Sequence, residues 1–226
     1  MHLVVHRGVG GQNTLQGIMT GLDVAFRCET DLIWHDNTWW ICHDFYTFRG
    51  LEYASSSLDM LLEMMTNRSF SEKCVLILDI KWDWIVNRED SWEEARTRLF
   101  EVLLRYHASS LCAVWLQYNH RIFLHGSCRP DSSYRTGFAV HAPMPIWECL
   151  DVSVLDFITI NVNVFSIQDL QDLKNCTGPT MYVMGYTCPA VEDLPMYAHF
   201  LEGMIDGIVC DITNRQGVRD ARMIDP

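Results

Sequence analysis

The sequence predicts an α/β fold, a closed TIM (β/α)8 barrel formed as one domain over residues 1–226. Three observations carry that prediction. Apolar strand-like runs alternate with helix-like runs along the chain, which argues for a largely parallel sheet. There are seven or eight such strand runs, and 226 residues fall just under the roughly 250 typical of this barrel. Polar residues with chemical capability fall at the ends of strand runs, where a barrel would bring them to one mouth.

Taken in order, Leu3–His6 is short, apolar and β-branched, and reads as the first strand. Asn13–Gly21 follows as a helix with Asn13 or Gln12 near its cap. Val24–Leu32 reads as the second strand. Thr38–Cys42 is either the next strand or the arm of a hairpin turning at His35-Asp36-Asn37. Ser57–Thr66 has a helical period, with Leu58, Leu61, Leu62 and Met65 on one face and Ser57 as cap. Val75–Ile80 is nearly continuous apolar, as suits a strand covered on both faces. Ser91–Tyr106 is the clearest helix, with Glu94 at the capping-box position. Ala113–Gln117, Ile122–Leu124 and Gly137–Val140 are short strand candidates, and Phe157–Val162 is a stronger one. Ser166–Leu173 suits a surface helix, Pro179–Met184 a strand, Leu194–Met204 a helix, and Gly207–Cys210 closes the series. The spaced glycine pattern of a dinucleotide-binding open sheet is missing from Gly8-Val9-Gly10-Gly11.

Composition narrows the function classes. Hydrophobic residues make up 49 % and charged residues 20 %, which fits a globular protein with a sizeable core. The formal net charge of −12, with Lys and Arg totalling 17 and unclustered, disfavours a nucleic-acid partner. No stretch approaches the length of a membrane span, and the opening apolar run is too short for a signal peptide. The expected location is therefore cytoplasmic. The nine cysteines are odd in number, widely spaced and without a C-x-x-C pair, so buried free thiols are expected.

The chemistry concentrates in residues that interrupt apolar strands: His6-Arg7-Gly8, Glu29-Thr30-Asp31, His43-Asp44, Asp79-Ile80-Lys81, and Asp206 and Asp211 around the last strand. Side chains alternate along a strand, so Glu29 and Asp31 share a face. Two adjacent carboxylates in an apolar run are costly to bury unless a cation neutralises them. Asp79 supplies a third carboxylate, and hard oxygen donors suit magnesium or calcium. Each piece has a plainer explanation when taken alone. Glu29 and Asp31 could pair with Arg27 or Lys81, His6 could be a satisfied strand-end residue, and turns favour Asp44. Their joint placement at strand ends favours a site: histidines to move protons, a metal and basic side chains to hold a phosphoryl group.

In order and spacing, His6-Arg7-Gly8, Asn13-Thr14, Glu29-Thr30-Asp31 and His43-Asp44 resemble the signature of glycerophosphodiester phosphodiesterases. The resemblance implies the same barrel. It implies His6 and His43 as the acid–base pair, Glu29, Asp31 and Asp79 as ligands of Mg2+ or Ca2+, and Arg7 and Lys81 as phosphate-binding residues. The implied reaction converts glycerophosphodiesters to glycerol 3-phosphate and an alcohol through a cyclic phosphate. Asp206–Asp211 is similar to the last strand of that family, and Met181–Tyr186 to the preceding one, with its usual tryptophan replaced at Tyr186-Thr187-Cys188.

The chain departs from the family pattern at three places. Asp79 stands where glutamate is usual, a feature in which it resembles the more distant sphingomyelinase D barrel enzymes of spider venoms. Only Phe45–Ser57 is available for the small subdomain often inserted after His-Asp, which is expected to be reduced or absent. Tyr118–Thr136 matches no expected element. The expected substrate is a small glycerophosphodiester. The alternatives are a phospholipase-D-like enzyme that cyclises a lysophospholipid or sphingolipid headgroup ester, using Trp39, Trp40, Phe45, Tyr46 and Phe48 as an acyl channel, and a catalytically weak barrel with a binding or structural role.

Overall fold

Leu3, Val4 and Val5 form the first strand because three buried apolar side chains can alternate between the barrel lumen and the helical shell. The computed structural model describes residues 2–43, 56–68, 70, 74–81, 90–108, 111–117, 135–140, 155–178, 180–186, 190–213 and 217. Its strands are β1 (His2–Val5), β2 (Arg27–His35), β3 (Thr38–Ile41), β4 (Val75–Ile80), β5 (Cys112–Gln117), β6 (Arg135–Val140), β7 (Phe157–Asn161), β8 (Tyr182–Tyr186) and β9 (Gly207–Cys210). The helices are α1 (Leu15–Ala25), α2 (Leu58–Arg68), α3 (Asp90–Arg105), α4 (Ile167–Thr177) and α5 (Leu194–Leu201).

Eight of the strands run parallel in the ring β1-β2-β4-β5-β6-β7-β8-β9, closed where Val4 and Val5 of β1 lie beside Val209 and Cys210 of β9 and Val5 lies beside Cys28 of β2. This is the predicted TIM barrel. The remaining strand, β3, is the arm of a hairpin. It pairs antiparallel with the far end of β2, from Leu32↔Ile41 to His35↔Thr38, around a turn in which Asp36 and Asn37 adopt positive φ.

Two cores follow from strand alternation. Val4, Ile77, Ala139, Met184 and Val209 pack together inside the lumen. The opposite parity, including Val5, Leu76, Leu78, Ile158 and Ile208, joins the buried faces of α1, α2 and α3 in a larger shell. Trp39 is buried in that shell, and its indole donates to the Ala95 carbonyl on α3 at 3.0 Å.

Several element boundaries move from the sequence reading for identifiable reasons. Helix α1 starts after Asn13, because Asn13 has a left-handed backbone (φ 52°) and Thr14 takes the cap, its hydroxyl accepting from the Gly17 amide at 3.1 Å. The helix runs on through Val24 to a left-handed Phe26, so β2 begins at Arg27 rather than Val24. Ser166 caps α4 in a reciprocal capping box with Asp169. The expected strand Ile122–Leu124, most of Tyr118–Thr136 and most of Phe45–Ser57 lie outside the described residues; Arg135 and Thr136 open β6.

The Thr14 cap matters because α1 anchors the loop that carries Arg7 and Asn13. Replacing Thr14 with Ala is expected to lower stability by about 1 kcal/mol. Urea unfolding measures it, and an unchanged midpoint would show that the cap contributes nothing.

Candidate metal centre at the barrel mouth

The carboxylates meet because strand parity and inter-strand register agree. Glu29 and Asp31 point into the lumen from β2, and Asp31 lies directly opposite Asp79 of β4. Oxygen atoms of Glu29, Asp31 and Asp79 lie within 4.8 Å of one another. All three residues are buried, and they are the one such group of potential metal ligands among the described residues. Glu29 Oε1 and Asp79 Oδ1 have no hydrogen-bond partner among the described residues.

Two cations already face the cluster. Lys81 follows β4 with its amide held by the Leu32 carbonyl at 2.8 Å, and its ammonium touches Asp31 Oδ1 at 2.7 Å and also Asp79 Oδ2. Arg7 Nε lies 2.8 Å from Asp31 Oδ2, and the Arg7 backbone amide donates to Glu29 Oε2 at 3.1 Å. Charge therefore divides unevenly. Burial raises the Asp31 carboxyl, but Lys81 and Arg7 overcome it and hold it below its ordinary value. Burial, reinforced by Asp31 and Asp79, pushes Glu29 well above the ordinary range. Burial lifts Asp79 to about 6 despite Lys81. Three carboxylates facing two cations leave a deficit that Glu29 carries by favouring its proton. A divalent ion relieves the same deficit, and oxygen donors of this kind suit magnesium or calcium. The residues present fit such an ion, with Glu29 Oε1 and Asp79 Oδ1 as buried oxygens still open to it.

His6 follows β1 and is held by its amide on the Cys210 carbonyl at 2.9 Å. Its Nδ1 lies 2.6 Å from Asp211 Oδ1, and its Nε2 lies 3.7 Å from Glu29 Oε2. A carboxylate only accepts, so the Nδ1 side carries the proton and the Nε2 lone pair faces the carboxylate cluster. For His6 burial outweighs the Asp211 hydrogen bond, and Arg7 adds to it, so the imidazole sits below its ordinary value of 6.5. His43 stands just past β3. The Cys42 amide donates to the Asp31 carbonyl at 3.1 Å, which fixes the backbone beside the cluster, and the imidazole is exposed. It lies near enough for its charge to help lower Asp79. All seven sequence-predicted residues thus gather at one mouth.

Asp206 does not join them. It sits at the opposite end of β9, where its carboxylate accepts from the Val183 amide at 2.8 Å and its carbonyl from His2 at 2.7 Å. Two residues gain positions that sequence reasoning did not assign. Asn13 donates to Asp31 Oδ2 at 2.7 Å while its carbonyl oxygen accepts from Thr30 and from the Asp31 amide. Asp211 orients His6. The signals were present, Asn13 beside Thr14 and Asp211 after the last strand, but neither residue type announces a partner so distant in sequence.

The loop carrying Arg7 and Asn13 depends on Gly8. Its φ is 76°, and a Cβ at this position would come within 2.5 Å of backbone atoms of Gly17 and Ile18, so no larger residue fits between the loop and α1. That close approach aims the Arg7 amide at Glu29 and Asn13 at Asp31.

No protein-family model and no curated relative matches the chain by sequence. Solved structures do match in shape. A candidate glycerophosphoryl diester phosphodiesterase from Silicibacter pomeroyi superposes with a TM-score of 0.75 at 15 % identity, covering 100 % of this chain and 94 % of that one. A phosphodiesterase from Oleispira antarctica, solved with its product sn-glycerol-3-phosphate, gives 0.74 at 20 % identity, with 100 % and 97 % covered. A candidate glycerophosphodiester phosphodiesterase from Galdieria sulphuraria gives 0.75 at 16 % identity, with 100 % and 98 % covered. The described residues have the TIM-barrel fold that these phosphodiesterase structures share.

Proposed function

We propose that the chain is a metal-dependent glycerophosphodiester phosphodiesterase, a hydrolase that converts glycerophosphodiesters to glycerol 3-phosphate and an alcohol. One observation carries the reading: three buried carboxylates, two of whose oxygens have no hydrogen-bond partner among the described residues, lie beside a histidine whose Nε2 is 3.7 Å from Glu29 Oε2 and whose Nδ1 is 2.6 Å from Asp211 Oδ1. The shared barrel fold and the motifs His6-Arg7-Gly8, Glu29-Thr30-Asp31 and His43 support it.

Glu29, Asp31 and Asp79 would hold a magnesium or calcium ion. When bound, it would leave the cluster with one positive charge in excess and stabilise charge on the oxygens of a diester monoanion. Arg7 and Lys81 add to the field that draws the phosphate in. His6, neutral at Nε2, takes the proton from the glycerol hydroxyl next to the phosphate as that oxygen attacks phosphorus. His43, on the solvent side, gives a proton to the departing alcohol oxygen. The product of this step is a cyclic phosphate. Water then opens it with the roles reversed, His43 accepting the water proton and His6 returning one to the glycerol oxygen. Asp211 keeps the His6 tautomer correct throughout.

The lysophospholipid alternative needs an apolar channel. Trp39 is already committed to packing against α3 and against Trp34, with ring centroids 5.3 Å apart. Phe45, Tyr46 and Phe48 lie outside the described residues.

Glycerophosphocholine, glycerophosphoethanolamine, glycerophosphoinositol and lysophosphatidylcholine should be compared with and without chelator. We expect chelator-sensitive release of glycerol 3-phosphate from at least one glycerodiester. Turnover of lysophosphatidylcholine alone would replace this reading with the phospholipase-D-like one, and no metal-dependent turnover of any of the four would count against both. A cytoplasmic location belongs to the same proposal; the described cysteines are all free thiols, which suits a reducing compartment. Cell fractionation that recovered the protein from a secretory compartment would overturn that part.

A further inference from the structure

The ring that assembles the carboxylates also sets the wall they face. In the eight-stranded ring β7 stands directly across from β2, and β8 directly across from β4. The pairing register gives the height on that wall. It runs from Asp31 through Asp79, Trp115 and Gly137 to Phe157, and on to Tyr182. Phe157 and Tyr182 open their strands, at the end of the lumen away from the mouth. Tilted strands in a barrel of this type slip by about eight residues in a full turn, roughly one per strand. The position level with Asp31 therefore lies about four residues beyond Phe157, at Asn161, and the position level with Asp79 about four beyond Tyr182, at Tyr186. These two are register partners. Strand parity turns both inward: Asn161 repeats the direction of Phe157, and Tyr186 packs against the luminal cluster that contains Met184.

The Asn161 side chain is held in place and keeps its donors. Its Oδ1 accepts from the Asn163 amide at 3.0 Å, and its backbone carbonyl accepts from the Val164 amide at 3.0 Å. Asn163 Oδ1 accepts in turn from the Tyr197 hydroxyl at 3.1 Å, which ties the turn to α5. The Nδ2 hydrogens of Asn161 have no partner among the described residues. One inward step lower on β7, the Thr159 hydroxyl is already given to the Phe138 carbonyl. Burial, with Asp79 adding to it, raises the Tyr186 phenol, so that group is neutral. Across from a charged cluster the chain thus presents an amide and an aromatic ring, neither of them charged. Phosphate belongs with the ion, Arg7 and Lys81. An uncharged group that accepts a hydrogen bond belongs with Asn161.

We infer that Asn161 is a specificity residue of the proposed reaction, its Nδ2 donating to the terminal hydroxyl of the glycerol half, the one that takes no part in the chemistry, while Tyr186 closes the wall beside it. The inference rests on the glycerophosphodiesterase reading above. In that reading the alcohol departs beside His43, past β3, so the half that keeps the phosphate lies toward His6 and the far wall. A site built to pair with a hydroxyl discriminates against a substrate that lacks it, because the donor is then left without a partner.

Glycerophosphocholine and the 2-hydroxyethyl diester of phosphocholine differ only by the terminal hydroxymethyl group. Both keep the attacking hydroxyl and release the same alcohol. With magnesium or calcium present, the full chain should favour glycerophosphocholine in kcat/KM by about tenfold or more. Asn161→Ala should erase most of that preference. Because the alanine could unsettle the turn, Asn161→Ser serves as the second variant: its hydroxyl can still accept from the Asn163 amide but is too short to replace Nδ2. It should erase the preference equally, with circular dichroism showing that the barrel is intact. A parent that treats the two diesters alike, or a folded Asn161→Ser protein that keeps the full preference, would overturn the inference and leave the reaction standing. A loss seen with glycerophosphoinositol but not with glycerophosphocholine would move the contact to the departing alcohol and overturn it too. Turnover of neither diester by the parent would remove the reaction, and this inference with it.

Discussion

Replacing Asp79 with Asn is expected to weaken divalent-ion binding at least tenfold, to cut turnover about 10²-fold or more, and to make the metal-free protein more stable above neutrality. The first two effects follow from the loss of a ligand oxygen, Asp79 Oδ1, that has no other partner among the described residues. The third follows from the cost of holding the carboxylate there. Its ordinary value is 3.8 and its folded value about 6. Between those pH values the folded chain keeps a proton that the unfolded chain has released. Stability contributed by this group is therefore full below about 4, is lost as pH rises toward 6, and stays lost above it. The shift corresponds to about 1–3 kcal/mol, reduced to the extent that the pair with Lys81 also breaks. In chelator at pH 8 the variant should melt higher than the parent; at pH 4 the difference should disappear. Adding magnesium or calcium should reverse the order, because only the parent gains stability from binding. Calorimetry in chelator and in excess ion reads both halves. A variant that binds the ion unchanged would remove Asp79 from the ligand set, and one that melts lower than the parent at pH 8 without metal would show that the buried carboxylate carries no such cost.

The same residue shows how far the sequence could be read. Glu29 and Asp31 share a face because a strand repeats every two residues, and that is legible in any sequence. That Asp31 stands opposite Asp79 is not, since the register of two parallel strands depends on how the whole ring closes and staggers. The His6–Asp211 pair joins residues 205 apart, first strand to last, and exists only because β1 and β9 are neighbours. Asn13 looked like a helix cap because Asn is a common one. Its left-handed backbone instead turns the amide toward Asp31, and Thr14 caps the helix. Val24 looked like strand because it is β-branched, and the shell that buries Leu22 and Cys28 carried α1 past it. Asp206 and Asp211 flank one strand in similar contexts, yet a parallel strand in a barrel has a bottom and a top, and four residues of Gly207–Cys210 separate a backbone brace from a position beside His6 and the carboxylate cluster.

Loss of either histidine is the other large expected effect. His6→Ala and His43→Ala should each lower kcat by roughly 10²–10⁴-fold while the metal stays bound. Cyclising a diester requires one proton removed from the attacking hydroxyl and one delivered to the leaving oxygen, and two histidines on different sides of the phosphate do this without moving. The structure distinguishes their surroundings. His6 is recessed, with Nδ1 on Asp211 and burial holding it below 6.5, so it is neutral at pH 7 and suited to accept a proton. His43 is exposed beyond β3, which suits the proposed role of giving a proton to the departing alcohol. Asp211→Asn separates orientation from acid–base chemistry. Removing that carboxylate takes away the contact that raises His6, so the acidic limb of the kcat/KM profile should move to lower pH while kcat falls, by about tenfold or more, as the tautomer is no longer enforced. KM should change little, since Asp211 acts through His6. A merely structural role would lower the melting point and leave the limb in place. The parent profile should be bell-shaped if both protons move in the rate-limiting step. A His43→Ala enzyme with near-full activity on every diester would refute the pair and make Asp44 the candidate for the second proton transfer.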